Sequence, residues 1–240
     1  MNNRGKLDLS SCYMTVFILV VLLGFYLAET FMGGSENPAT LMKLGAMNNY
    51  AVAAGHQWWR LFTAQFLHIG IMHLVSNAVM IFYLGNYFES IIGHWRFWVI
   101  YLLSGVGGNL MSFAFGSDNS LSAGASTALF GLLGAVIAIS RRRASASPNS
   151  SLSAMLNYFG RQAAALAIIN LAIDIFMPNV DIQGHIGGLL MGFMATAVLG
   201  DRLPIKQNTK FRIIMAALMI VYVVFTFRKG MFISMTGLSW

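Results

Sequence analysis

Apolar residues fall in seven runs along the chain, at 13–28, 71–88, 97–115, 123–140, 162–177, 182–199 and 213–227, with polar or basic stretches between them. A run approaching roughly 20 apolar residues matches the hydrocarbon thickness of a bilayer, so each run predicts a membrane helix. Several are somewhat short for a comfortable crossing. A longer amphipathic segment, 33–59, separates the first two runs and carries Gly33-Gly34, Asn37-Pro38 and Asn48-Asn49, with Trp58-Trp59-Arg60 running across its end. Turn-forming pairs of this kind interrupt helices. The pattern predicts an all-α polytopic bundle, with no internal repeat and no separate soluble domain.

Composition strengthens this picture. Of 240 residues, 57% are hydrophobic and only 10% are charged, where a soluble domain carries about 25% charged residues. The mean hydropathy is +0.67. One cleaved signal segment cannot account for so many apolar runs. The single cysteine, Cys12, excludes an intramolecular disulfide and a cysteine-rich metal site. The net charge of +7 does not point to nucleic acid, because the basic residues lie between apolar runs and bear on orientation instead.

With the N-terminus in the cytoplasm, that side receives eleven basic residues: Arg4, Lys6, Arg96, Arg141, Arg142, Arg143, Arg161, Arg202, Lys206, Lys210 and Arg212. The outer side receives four: Lys43, Arg60, Arg228 and Lys229. The bias favours this orientation. The second, fourth and sixth runs then descend from the outer face. Ser126 lies near the top of the fourth, His73 and Asn77 near the top of the second, and His185 near the top of the sixth. Polar groups at that depth are costly and mark a site facing the bundle interior or a water-filled cavity.

Spacing adds detail. His73 and Asn77 are four apart and share a helix face, as do His185, Gly188 and Gly192. Gly131 and Gly134 follow Ser126, and small residues let membrane helices approach closely. Ser126 alone reads as packing material that bonds back to a carbonyl, or as a nucleophile awaiting a base. A neighbouring neutral imidazole supplies such a base. His73, Asn77 and the Ser126 N–H at a positive helix end can donate to an oxyanion. A zinc site built on His68, His73 and His185 is the chemical rival. His68 and His73, five apart on one helix, would diverge, and no HExxH is present. A transporter is the non-enzymatic rival, without paired broken helices to support it. Asp174, near the outer end of the fifth run, reads as a carboxylate reaching the interface.

From Trp58 to Gly192 these residues resemble the rhomboid intramembrane serine proteases. Trp59-Arg60 is similar to the family's Trp-Arg pair, and His73 and Asn77 in HIGIMHLVSN fill its H-x-x-x-N pattern. Gly85, Glu89 and Gly93 reproduce GxxxExxxG; Gly124-Ala125-Ser126 matches the nucleophile motif; and GHIGGLLMG matches HxxGxxxG, with His185, Gly188 and Gly192. Thr127 stands where the family motif has glycine, which predicts a slightly wider approach of the fourth and sixth helices there. Phe130 stands where the family often has tyrosine, able to pack on His185 but without a hydroxyl. Gly184 stands where alanine is common, a harmless exchange by this reading.

The resemblance implies a six-plus-one helix form. It divides the chain into a cytoplasmic segment 1–12, a catalytic membrane domain 13–200, and a segment 201–240 holding an inner loop, the seventh helix and an outer tail. It implies a serine–histidine dyad without an acid: Ser126 as nucleophile, His185 as general base, and His73, Asn77 and the Ser126 backbone at the oxyanion. Phe130, Gly124, Gly188 and Gly192 support them. It implies no metal or organic cofactor, and transmembrane proteins of the bilayer as substrates. The loops 118–123 and 177–183 would cap the site, with the fifth helix as a gate. A catalytically inactive rhomboid-like binding protein is the alternative within the family. Short loops and an N-terminus unlike a transit peptide suggest a bacterial plasma membrane.

Overall fold

A computed structural model describes residues 12–117, 121–146, 151–177, 180–203 and 208–236. Outside them lie residues 1–11 of the expected cytoplasmic segment, with Arg4 and Lys6. Lys206, residues 118–120 and 178–179 of the two expected capping loops, and the end of the tail at 237–240 also lie outside. Among the described residues there is no strand, and the helices are α1 (Tyr13–Phe31), α2 (Pro38–Leu44), α3 (Asn49–Ala53), α4 (Arg60–Thr63), α5 (Ile71–Ile92), α6 (His94–Phe115), α7 (Ser126–Ala146), α8 (Ser151–Asp174), α9 (Ile182–Leu199) and α10 (Thr209–Thr236).

Five of these, α1, α5, α6, α9 and α10, are long and apolar enough to cross a membrane. Many large apolar side chains on them face outward, among them Phe17, Val20 and Leu23 on α1 and Ile220, Val221 and Phe225 on α10. Such a surface would drive a soluble protein to aggregate. Against lipid it is the proper solvent-facing surface of an integral membrane protein.

The helices overrun the apolar runs that announce them. α8 begins at Ser151, eleven residues before the run at 162. Hydropathy detects only the stretch that suits lipid, whereas an α-helix needs only that its backbone bonds close. The added turns are packed: Ser153, Leu156 and Gly160 are buried, and a Cβ on Gly160 would lie 2.2 Å from the Ser140 hydroxyl of α7. α7 shows the opposite shift. Its apolar run opens at 123, yet the helix begins at Ser126.

α7 lies at the centre, packed against α9, α6 and α8. The α7–α9 approach is made backbone to backbone. A Cβ on Gly188 would sit 2.0 Å from the Thr127 carbonyl oxygen, one on Gly192 would sit 2.0 Å from that of Gly131, and one on Gly134 would sit 2.2 Å from that of Leu189. No side chain fits at these points, so glycine is what allows the helices to meet.

α1 is fastened at its start by Glu89 of α5. The Glu89 carboxylate accepts the Met14 N–H (2.9 Å), the Thr15 N–H (2.7 Å) and the Thr15 hydroxyl (2.5 Å), and lies 2.6 Å from His94 Nδ1. An acid satisfying the orphan donors of a helix N-terminus is stabilising. Gly85 lets Thr15 approach, since a Cβ there would lie 1.9 Å from its hydroxyl. The Gly85-Glu89-Gly93 motif is therefore a helix clamp. The segment 33–66 packs as three short helices and a 3₁₀ turn over a second apolar cluster that includes Met47, Val52 and Phe113. Arg60, buried, donates to Gln57 Oε1 (2.6 Å) and to the Ala46 carbonyl (2.8 Å), which holds that segment together.

Candidate active site

The start of α7 is set by loop geometry. Met47 and Ser122 exchange two backbone hydrogen bonds (2.8 and 3.0 Å), and the Gly124 N–H donates to the Ala64 carbonyl (3.0 Å). Gly124 has φ +149°, a conformation open to glycine, and a Cβ there would lie 2.7 Å from His73 Cε1. The chain stays extended to this point. Ala125 then accepts the first helical bond, from Leu129 (2.9 Å), which makes Ser126 the first residue of α7. Its N–H is accordingly one of the unsatisfied donors of the helix's positive end.

His185 lies in the first turn of α9. Asp181 caps that helix, its Oδ1 accepting the Gly184 N–H at 2.8 Å. Oδ2 of the same carboxylate accepts the Ser122 hydroxyl (3.1 Å) and that of Ser112 from the end of α6. One acid thus joins α6, the loop before the nucleophile and the first turn of α9. An aspartate just before an apolar helix is a legible N-cap, and it went unused in the sequence-based picture.

The helices bring together residues 59 apart. His185 Nε2 lies 2.8 Å from Ser126 Oγ. Phe130, one turn after Ser126, stacks on the imidazole with centroids 4.3 Å apart and planes at 11°. Asn77 is buried, its Nδ2 without a partner among the described residues. Ser126, His185, His73, Asn77 and Phe130 all line one cavity of about 530 Å³, which Leu166, Asn170 and Asp174 of α8 also line. Gly188 and Gly192 lie below it, on the face of α9 that meets α7.

The structure adds a third group. Asp174, the last residue of α8, places Oδ2 2.7 Å from His185 Nδ1. It is 9% exposed, so it does not reach out to the interface. The picture of a serine and histidine with no acid in contact is revised on this point. Asp174 shares their depth in sequence, but only folding turns it toward the imidazole.

The reading of His68 also changes. It precedes α5, so the helical wheel that separates it from His73 does not apply, and the two rings meet edge to face at 5.2 Å. His68 is fully buried; burial foremost, with the charge of His73 adding, pushes its pKa down to about 3. Neutral at ordinary pH, its Nε2 faces the Ala125 N–H at 3.5 Å and supports the loop before the nucleophile. Among the described residues, no three His, Cys, Asp or Glu side chains are placed to share a metal ion.

Thr127 and Gly184, two of the three departures from the family pattern, face one another. A Cβ on Gly184 would lie 2.9 Å from Thr127 Cγ2 and 2.5 Å from Asp181 Oδ2. The threonine methyl fills the space an alanine would take, and Gly108 of α6 opens the other side, 2.6 Å from Thr127 Cβ by the same measure. The helices therefore keep their close approach, and Gly184 is required rather than incidental. Gly184→Ala is expected to cost about 1–3 kcal/mol of stability by overpacking. Thr127→Ser, which removes Cγ2, is expected to relieve part of that cost in the double variant. Thermal unfolding in detergent measures the coupling, and strictly additive effects would show that the two positions do not compete for space.

Comparison with known proteins identifies the family. The Rhomboid domain family matches residues 55–202. Rhomboid protease GluP of Bacillus subtilis is 40% identical over 211 residues, covering 87% of this chain and 38% of that protein. RHOMBOID-like protein 6, mitochondrial, of Arabidopsis thaliana is 41% identical over 169 residues, covering 70% and 52%. Inactive RHOMBOID-like protein 8 of the same plant is 34% identical over 173 residues, covering 67% and 45%. The chain spans about two-fifths to one half of the length of these relatives.

Proposed function

This chain belongs to the rhomboid family, and on that premise we propose that it is an intramembrane serine endopeptidase in which Ser126 is the nucleophile and His185 the general base. The observation that carries the reading is the 2.8 Å contact between Ser126 Oγ and His185 Nε2 at the wall of a cavity. That distance suits a base taking the hydroxyl proton.

Ser126 Oγ attacks the scissile carbonyl carbon as its proton passes to His185 Nε2. The Ser126 N–H, the Asn77 amide and the His73 ring meet the oxyanion. The intermediate collapses, the C–N bond breaks, and the leaving amine takes the proton from His185. Water, deprotonated by His185 in turn, attacks the acyl ester and releases the second product with Ser126 restored. None of these steps calls for a metal or an organic cofactor.

The substrate is a transmembrane segment of another protein. Its backbone must leave the helical state to be attacked, so helix-weakening residues near the cut favour cleavage. The N-terminus is cytoplasmic and the cavity opens toward the outer face of a bacterial plasma membrane, in keeping with the basic-residue bias and the GluP relative. The catalytic domain spans 13–200 and α10 supplies the seventh crossing.

One relative is named inactive, which makes a non-catalytic binding protein the competing reading. A fluorophosphonate or isocoumarin probe separates the two. The expected result is covalent labelling of the wild type and none of Ser126→Ala. Equal labelling of both would put the nucleophile elsewhere, and labelling of neither would favour the binding protein.

A further inference from the structure

We propose that Asp174 is a positioning residue that selects the reactive tautomer of His185, an inference that rests on the Ser126–His185 chemistry proposed above. A neutral imidazole carries one proton and can hold it on either nitrogen. Only the form with the proton on Nδ1 leaves a lone pair on Nε2 to receive the Ser126 proton. An ionised carboxylate accepts and cannot donate, so the 2.7 Å contact between Asp174 Oδ2 and Nδ1 is satisfied by that same form. A single proton placement serves both contacts, with Nδ1–H donating to Asp174 and Nε2 accepting from Ser126 at 2.8 Å. The imidazolium formed during attack is then paired with a negative charge.

The other groups around the ring do not perform this task. Phe130 stacks on its face and limits tilt, but a ring stack is indifferent to which nitrogen bears the proton. Asp181, one turn back, is engaged by Gly184, Ser112 and Ser122. His73, on α5, lines the same cavity, and its ring contact is with His68. Asn170, one turn before Asp174 and lining the same cavity, donates its amide to the Leu166 carbonyl at 2.7 Å. Asp174 is buried where a lone carboxylate would be costly, and His185 is the partner that offsets the cost.

The position of the acid has a consequence for assembly. The nucleophile is on α7, the base on α9 and the orienting carboxylate on the last residue of α8. The ring is held in its reactive form only when the end of α8 is seated against α9.

The test uses the full chain purified in detergent, with a transmembrane substrate. Asp174→Asn is expected to lower kcat about tenfold or more, with KM within about twofold of the wild type, and Asp174→Glu to recover part of the loss. In ¹⁵N-histidine spectra the wild-type His185 is expected as the Nδ1–H form, with the Nε2–H form gaining population in Asp174→Asn. Wild-type kcat in Asp174→Asn would overturn the proposal. So would an Nε2–H ring in the wild type, a result that needs no variant to fold. If Ser126→Ala still cleaved, the serine chemistry itself would fail, an outcome separate from either.

Discussion

Ser126→Ala and His185→Ala are each expected to reduce cleavage of a transmembrane substrate by ~10⁴-fold or more, while the protein stays folded. The size follows from the two groups acting as one device. Without Oγ there is no acyl-enzyme. Without Nε2 at 2.8 Å the hydroxyl keeps its proton and attacks poorly. The losses should not add, so the double variant is expected to be no worse than either single one. Folding of Ser126→Ala should survive, because Ser126 is the first residue of α7 rather than part of its packed glycine seam, and the loop before it is held by backbone bonds with Met47 and Ala64. His185→Ala leaves the buried Asp174 carboxylate without its partner and is expected to melt lower, so its activity is read below its own melting temperature. Product formation over time, beside a thermal melt of each variant, is the measurement. Cleavage within tenfold of wild type by a folded Ser126→Ala protein would remove the serine mechanism.

The second large effect is expected at Asn77, where activity and stability should move in opposite directions. Asn77 is 6% exposed and its Nδ2 has no acceptor among the described residues. A buried donor left unpaired costs about 1–3 kcal/mol, and it is tolerated where the partner arrives with the substrate. The oxyanion of the tetrahedral intermediate is such a partner. Asn77→Ala is therefore expected to lower kcat about 10²-fold, or ~2.7 kcal/mol of transition-state stabilisation. Its melting temperature should stay the same or rise, because an unpaired buried amide has been removed. His73→Ala should also lower kcat. It should lower stability as well, since the His73 ring packs against Gly124 and edge to face on His68. A drop in melting temperature with undiminished kcat in Asn77→Ala would show that the amide serves packing alone.

Much of this was legible in the chain. The helix at Ile182–Leu199 follows from hydropathy to the residue, and the glycines after Ser126 and His185 announce a close helix pair that the α7–α9 seam displays. Charge placement brings Ser126, His73, Asn77 and His185 to a common depth, and the cavity gathers all four. Other features were hidden for identifiable reasons. The extra turns of α8 carry polar residues, and hydropathy registers lipid preference rather than helicity. His68 and His73 meet because α5 starts between them at Ile71, and a periodicity argument fails once the helix boundary falls inside the pair. Thr127 and Gly184 each look like isolated exchanges in sequence. In space they are one, a methyl on α7 filling the hole left by a missing methyl on α9.

The sequence alone determined the class of protein, the membrane-facing runs and which polar side chains are candidates for a site, because lipid solvation and helix periodicity are local properties that short windows of residues carry. Only the tertiary structure decided that Ser126 begins its helix, that Asp181 ties three elements beside the site, and that Asp174 turns inward to His185. Each of these depends on a contact between residues distant in the chain, whose geometry is set by how closely glycines let helices approach. No local pattern encodes that distance; it emerges when the backbones of α7 and α9 touch and bring the side chains above them into hydrogen-bonding range.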